Sequence, residues 1–188
     1  SPPSFSWTVD TVDPLTSINS VTDGNESTIS TGSNSSSKTA IFEFSGTDSG
    51  VGLSHFECSF DKSKFIACES PLQINNLTDG MHFLETRSHD KVGNKDISLA
   101  SFGWTVDTIP PITSLVSTSG GNKSVIKNGG SISSDTAIFE FSAADGGGGE
   151  NKGVGIDKIE CSIDNSNFVS CLSPLEFNSL REGSHNLK

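Results

Sequence analysis

The sequence predicts an all-β protein built of tandem antiparallel β-sandwiches, the second of them incomplete in this chain. Three observations carry that reading: apolar residues alternate at period two through short runs, Gly, Asn, Asp, Ser and Pro punctuate the gaps, and the runs recur in two copies. Ala40, Phe42 and Phe44 share one face of a strand while Glu43 and Ser45 take the other. Phe102, Trp104 and Val106 alternate with Ser101, Gly103 and Thr105 in the same way. Strands of this kind bury one face and wet the other. Leu15 to Val21, His55 to Phe60, Phe65 to Cys68, Leu72 to Leu77 and His82 to Ser88 are further runs, and this density of short strands in about 100 residues is that of a sandwich. No window carries a helical stripe, so little or no helix is expected.

The recurrence is nearly literal. Ser4-Phe5-Ser6-Trp7-Thr8-Val9-Asp10-Thr11 returns 97 residues later as Ser101-Phe102-Gly103-Trp104-Thr105-Val106-Asp107-Thr108, and Ala40 to Ser45 returns at the same offset as Ala137 to Ser142. Beyond Gly146 to Lys152, a glycine-rich surface loop by composition, the offset is 103: Glu57-Cys58-Ser59 matches Glu160-Cys161-Ser162. The expected organisation is therefore a terminal strand of a preceding or neighbouring repeat at 1–10, a complete repeat at 11–109, and a second repeat at 110–188 that lacks its last strands. The chain reads as a window cut from an array. Pro14 and Pro110-Pro111 follow the two Trp-Thr-Val-Asp-Thr strands and predict short, stiff connectors, because proline cannot continue a ladder.

Composition narrows the function. Among 188 residues the hydrophobic fraction is 32%, with twelve Phe, one Met and no Tyr, which suits two thin cores. Twelve Lys and Arg against 23 Asp and Glu leave a net charge of -11, which repels nucleic-acid phosphates and anionic membranes. No apolar run reaches the length of a membrane span, and Ser1-Pro2-Pro3-Ser4 lacks the basic and apolar regions of a secretory signal.

Cys58 and Cys68, and likewise Cys161 and Cys171, stand ten residues apart, too far for a CxxC redox or zinc pair. Asp61-Lys62-Ser63-Lys64 and Asp164-Asn165-Ser166-Asn167 lie between them as polar turns. A hairpin folded there brings each pair opposite one another at disulfide distance; the alternative is four buried free thiols. Paired cysteines point to an oxidising compartment, hence secretion or the cell surface.

Phe56-Glu57-Cys58-Ser59, Cys68-Glu69-Ser70-Pro71-Leu72, Leu77-Thr78-Asp79-Gly80-Met81-His82, Asp90-Lys91-Val92-Gly93-Asn94 and Phe102 to Thr108 with Pro110-Pro111 together resemble the immunoglobulin-like repeats found in tandem in large bacterial and archaeal surface proteins. The resemblance implies an extracellular sandwich used as stalk, adhesin segment, surface-layer component or filament subunit, and it implies no catalytic residue.

Catalytic signatures are missing: there is no HExxH, GxSxG or phosphate-binding glycine loop, and His55, His82, His89 and His185 are scattered along the chain. No cofactor is expected apart from calcium, for which Asp48, Asp90 and Asp107 in or beside loops, with Asp10 and Asp13 at the first connector, supply hard oxygens; the same residues also serve as turn caps. Asn25, Asn34, Asn76 and Asn122 open four glycosylation sequons. The expected role is structural, in an extracellular filament, surface layer or stalk, and the alternative is an adhesin binding a glycan or protein through Asn25 to Ser37 or Gly146 to Gly153. Expected partners are neighbouring copies of the chain or of the same array, with strand donation one means of joining them.

Overall fold

A computed structural model describes residues 2–146 and 155–188 and shows two compact units, Ser1–Thr108 and Ile109–Lys188. Both are all-β, and no helix occurs among the described residues. In the first unit, β1 (Leu15–Asp23), β3 (Ala40–Thr47) and β6 (Leu72–Ile74) form one antiparallel sheet in the order β1-β3-β6. The facing sheet has the order β2-β8-β7-β4-β5, from β2 (Asn34–Ser35), β4 (Leu53–Phe60), β5 (Ile66–Cys68), β7 (Gly80–Asp90) and β8 (Ala100–Val106).

The inward positions predicted by alternation meet between these sheets. Phe42, Leu84, Trp104 and Val106 are buried to within 1% of completely, and Phe102 is buried with them. The Phe42 ring lies 5.2 Å from Trp104 and 5.7 Å edge-on to Phe102, the offset and tilted geometries that aromatic quadrupoles favour. On the outer face of β8, Gly103 stands opposite Phe83 of β7, and a Cβ there would come within 2.8 Å of the Phe83 ring. Any side chain at this position would have to displace the Phe83 ring, which is 41% exposed.

One pair departs from the antiparallel expectation. β2 runs parallel to β8, with Asn34 opposite Thr105 and Ser35 opposite Val106. Its residues lie in a Ser- and Thr-rich stretch without alternation. Backbone bonds tie it to β8: Gly32 N donates to Gly103 O at 2.7 Å and Thr105 N to Ser33 O at 3.0 Å.

Both disulfides form, Cys58–Cys68 and Cys161–Cys171, and no free cysteine remains. Their register differs from the direct opposition expected. Across β4 and β5, Cys58 faces Ile66 and Phe56 faces Cys68, so the sulfurs join diagonally on one face at a Cα separation of 5.8 Å. The second hairpin, β11 (Glu160–Cys161) with β12 (Val169–Ser170), repeats this offset, with Cys161 opposite Val169. The turns set it: Asp61 and Lys62 take positive φ of 48° and 61°, and Asp164 and Asn165 of 51° and 62°, each pair closed by a bond from the serine that follows.

The second unit also contains β9 (Ile112–Gly120), β10 (Ala137–Ala144) and β13 (Leu175–Phe177), in the order β13-β10-β9. Among its described residues Ala137, Phe141 and Cys161 are the buried apolar ones. Residues 2–14, whose first part is expected to be a terminal strand, carry no strand here, and Phe5, Trp7 and Val9 are exposed.

Candidate metal centre

The loops at one end of the first unit bring three of the five predicted calcium ligands together. Asp10, Asp48 and Asp90 each offer a carboxylate oxygen within 4.8 Å of the others. Asp13 and Asp107 lie outside this group; Asp13 is exposed, and Asp107 donates its backbone N–H to Ser35 O in continuation of β8.

Each carboxylate is aimed by the local chain. Asp90 ends β7 and is 97% buried; its Oδ1 accepts from Val92 N, Gly93 N and Asn94 N, and its Oδ2 from Asn94 Nδ2 at 2.7 Å. Burial alone would raise its pKa, but these donors outweigh burial and hold the group ionised below the usual carboxylate range. Asp48 Oδ2 caps the following turn through Gly50 N and Gly52 N, at 3.2 and 2.6 Å. Asp10 reaches in from the N-terminal segment, its Oδ2 accepting from Val51 N at 2.7 Å and its backbone O from Asn94 Nδ2 at 3.2 Å. Gly50 makes room for it, since a Cβ there would stand 1.8 Å from Asp10 Oδ2.

The donor set fits calcium chemically. Three carboxylates from separate loops supply hard anionic oxygens, and Asp48 Oδ1 is buried with no hydrogen-bond partner, an arrangement that costs about 1 to 3 kcal/mol unless a cation or water meets it. The corresponding atom of the second unit, Asp145 Oδ1, is likewise buried and unpartnered, and Asp145 Oδ2 accepts from Gly155 N as Asp48 Oδ2 does from Gly52 N.

A second cluster was not legible as one from the sequence. His55 and His89 are not scattered: they stand opposite one another on β4 and β7, their rings stacked at 4.5 Å. Glu57 Oε2 accepts from His89 Nε2 at 2.9 Å and from Arg87 Nε and Nη2 at 3.0 and 2.8 Å, and these bonds lower the Glu57 pKa, Arg87 contributing most. The signal lay in period two, which puts His55 with Glu57 and Arg87 with His89 on one face once the register is known. Because Arg87 neutralises Glu57, the cluster serves cross-strand pairing. His82 and His185 each bridge an aspartate and a backbone carbonyl: His82 joins Asp61 and Thr78, and His185 joins Asp164 and Arg181. His82 is buried, and His185 is exposed.

All four sequon asparagines, Asn25, Asn34, Asn76 and Asn122, are exposed. Of the loops considered for ligand binding, Gly146 to Gly153 lies, but for Gly146, outside the described residues. No helix among the described residues is long and apolar enough to cross a membrane. No protein-family model matches the chain, and no curated protein matches it.

Proposed function

We propose that this chain is a non-catalytic structural repeat of an extracellular filament, surface layer or stalk, its units being immunoglobulin-like sandwiches. The observation that carries the reading is duplication down to single bonds. Both units have a diagonal disulfide over a positive-φ turn, the same His–Asp pair beside it, and the same serine hydroxyl, Ser70 or Ser173, receiving the amide of Phe44 or Phe141 at 2.9 Å. Repetition at that level supplies length and durability, which a single reactive site does not need. The disulfides fit an oxidising, exterior setting.

Both ends of the first unit's chain are pinned by carboxylates. Asp10 is held at the entry by Val51 N, and at the exit Asp79 Oδ1 accepts from Thr108 N and Oγ1, each at 2.9 Å. The Thr108 bonds lower the Asp79 pKa, so the clasp stays charged at neutral pH. Pinned ends transmit load and orientation along an array. Calcium at Asp10, Asp48 and Asp90 strengthens the entry clasp, and glycans on the exposed sequons shield the loops. Fractionation of the source cells, with thiol labelling under denaturing conditions, tests the reading. The chain is expected in the envelope or medium with all four cysteines refractory to label; a reduced cytoplasmic pool overturns it.

A further inference from the structure

His55 and His89 face one another across β4 and β7 with Glu57 beside them, and one ligand atom of each lies within 4.8 Å of the others. Two imidazoles and a carboxylate are a donor set of the borderline kind that zinc takes, unlike the all-oxygen set of Asp10, Asp48 and Asp90. Zinc bonds to nitrogen and oxygen are about 2.0 to 2.2 Å, so ligand atoms around one ion stand about 3 to 4 Å apart. Small side-chain rotations reach that spacing from the present one, because the two rings already lie nearly parallel at 4.5 Å.

Strand pairing alone does not require these histidines. By the repeat, Lys158 stands where His55 does and Glu160 where Glu57 does, and Lys158 Nζ donates to Glu160 Oε1 at 2.8 Å. A cation and a carboxylate suffice at that place in the second unit. In the first unit the carboxylate has its cation without His55: Arg87, whose guanidinium lies 4.0 Å over the Phe65 ring, donates to Glu57 Oε2 through both Nε and Nη2. The ring of His55 makes one hydrogen bond among the described residues, between Nδ1 and Ser54 Oγ at 3.2 Å, and its Nε2 is left over. Every side-chain hydrogen bond to Glu57 among those residues falls on Oε2, which leaves Oε1 open.

We infer that His55, Glu57 and His89 bind a zinc ion that bridges β4 and β7. His55 ligates through Nε2 while Ser54 holds its Nδ1, and His89 ligates through the Nε2 that now contacts Glu57, its ring proton passing to Nδ1. Glu57 ligates with a carboxylate that Arg87 fixes in place, the outer-shell support that metal-bound carboxylates and imidazoles need. The positive charge of Arg87 opposes the ion, so the site fills and empties with the zinc supply. An open depression of about 680 Å³, which His55 lines together with Ser54 and Glu69, gives the ion access and leaves its remaining positions to water. The disulfide ties β4 to β5, and zinc ties β4 to β7. The inference goes beyond the structural-repeat reading and does not depend on it.

Zinc chloride titrated into the metal-stripped 188-residue chain, followed by calorimetry and by the imidazole proton resonances of the four histidines, tests the site. Zinc should shift or broaden the His55 and His89 resonances together and leave those of His82 and His185 in place. His55→Lys installs the residue that the second unit has at this position, and His55 is exposed, so the variant keeps its fold and its strand pairing. It should bind zinc more than about tenfold more weakly. Asp48→Asn, in the separate carboxylate cluster, should bind zinc as the parent chain does. Silence of His55 and His89, an equal response of all four histidines, full affinity in His55→Lys, or binding lost in Asp48→Asn overturns the site. Localisation and thiol state judge the scaffold reading, so failure of the zinc site leaves that reading standing.

Discussion

Asp10 Oδ2 accepts a 2.7 Å hydrogen bond from Val51 N, tying the N-terminal segment to a loop 41 residues further along the chain. The bond holds a carboxylate beside Asp48 and Asp90, where like charges repel unless a cation intervenes. Calcium at about 100 times its Kd should therefore stabilise the first unit by about 2.7 kcal/mol, or roughly 10 °C in Tm. Chelator should remove the gain, and Asp48→Asn should abolish the response. Calorimetry showing identical melting in calcium and in chelator would refute the site.

Gly50→Ala tests the same clasp without touching a carboxylate. The new methyl would meet Asp10 Oδ2 at 1.8 Å, so Asp10 must swing away and Val51 N must lose its acceptor. Hydrogen exchange at Val51 should accelerate by about tenfold or more, while amides of β7 and β8 remain protected. Unchanged protection at Val51 would show that the clasp does not hold in solution.

Trp104→Ala should destabilise the first unit by about 3 to 5 kcal/mol, because it removes a fully buried indole from the contact with Phe42 and Phe102. Trp7→Ala, in a nearly identical sequence, should change unfolding of that unit by no more than about 0.5 kcal/mol. Urea midpoints on dilute samples measure both, and equal costs would contradict the exposure of Trp7.

Replacing Cys58 and Cys68 with serine should cost about 2 to 3 kcal/mol from the lost loop constraint across a ten-residue separation. The fold should persist, since Phe42, Leu84, Trp104 and Val106 pack without the bridge. Circular dichroism of the variant tests this, and loss of the sheet signal would assign the bridge a larger part than chain entropy gives it.

Stability should also fall in acid through Asp96. Its Oδ2 accepts from Thr16 N at 2.6 Å and its Oδ1 from Ser98 N and Oγ, bonds that outweigh burial and hold its pKa below the usual 3.8. A carboxyl depressed in the folded state contributes fully above its unfolded pKa and loses that contribution as pH falls through the folded value. The first unit should weaken below about pH 4, and Asp96→Asn should be less stable at neutral pH with a flatter acid limb. Parallel acid limbs would place the titration elsewhere.

Much of the fold was legible because alternation reports burial directly: Phe42, Phe44, Phe102, Trp104 and Val106 face inward as the pattern requires. β2 was not, since two residues held by backbone bonds leave no side-chain pattern. The diagonal register of the cysteines was hidden because a ten-residue spacing suits direct or offset pairing, and the positive φ values at Asp61 and Lys62 decide between them. Acidic loops were visible at Asp10, Asp48 and Asp90, but only topology brings the start of the chain, the β3–β4 loop and the end of β7 to one place. Asp13 and Asp107 have the same composition around them and a different position.

The cross-strand bridge between Cys58 and Cys68 also governs how the molecule yields to tension. Stretched between residues 14 and 108, the polypeptide can uncoil everywhere except inside that covalent detour, which withholds about 28 Å at full extension, the contour of the ten-residue loop less the 5.8 Å between the bridged Cα atoms. A tether assembled from such units would give less slack when one of them ruptures, so its neighbours would feel the load sooner and share it.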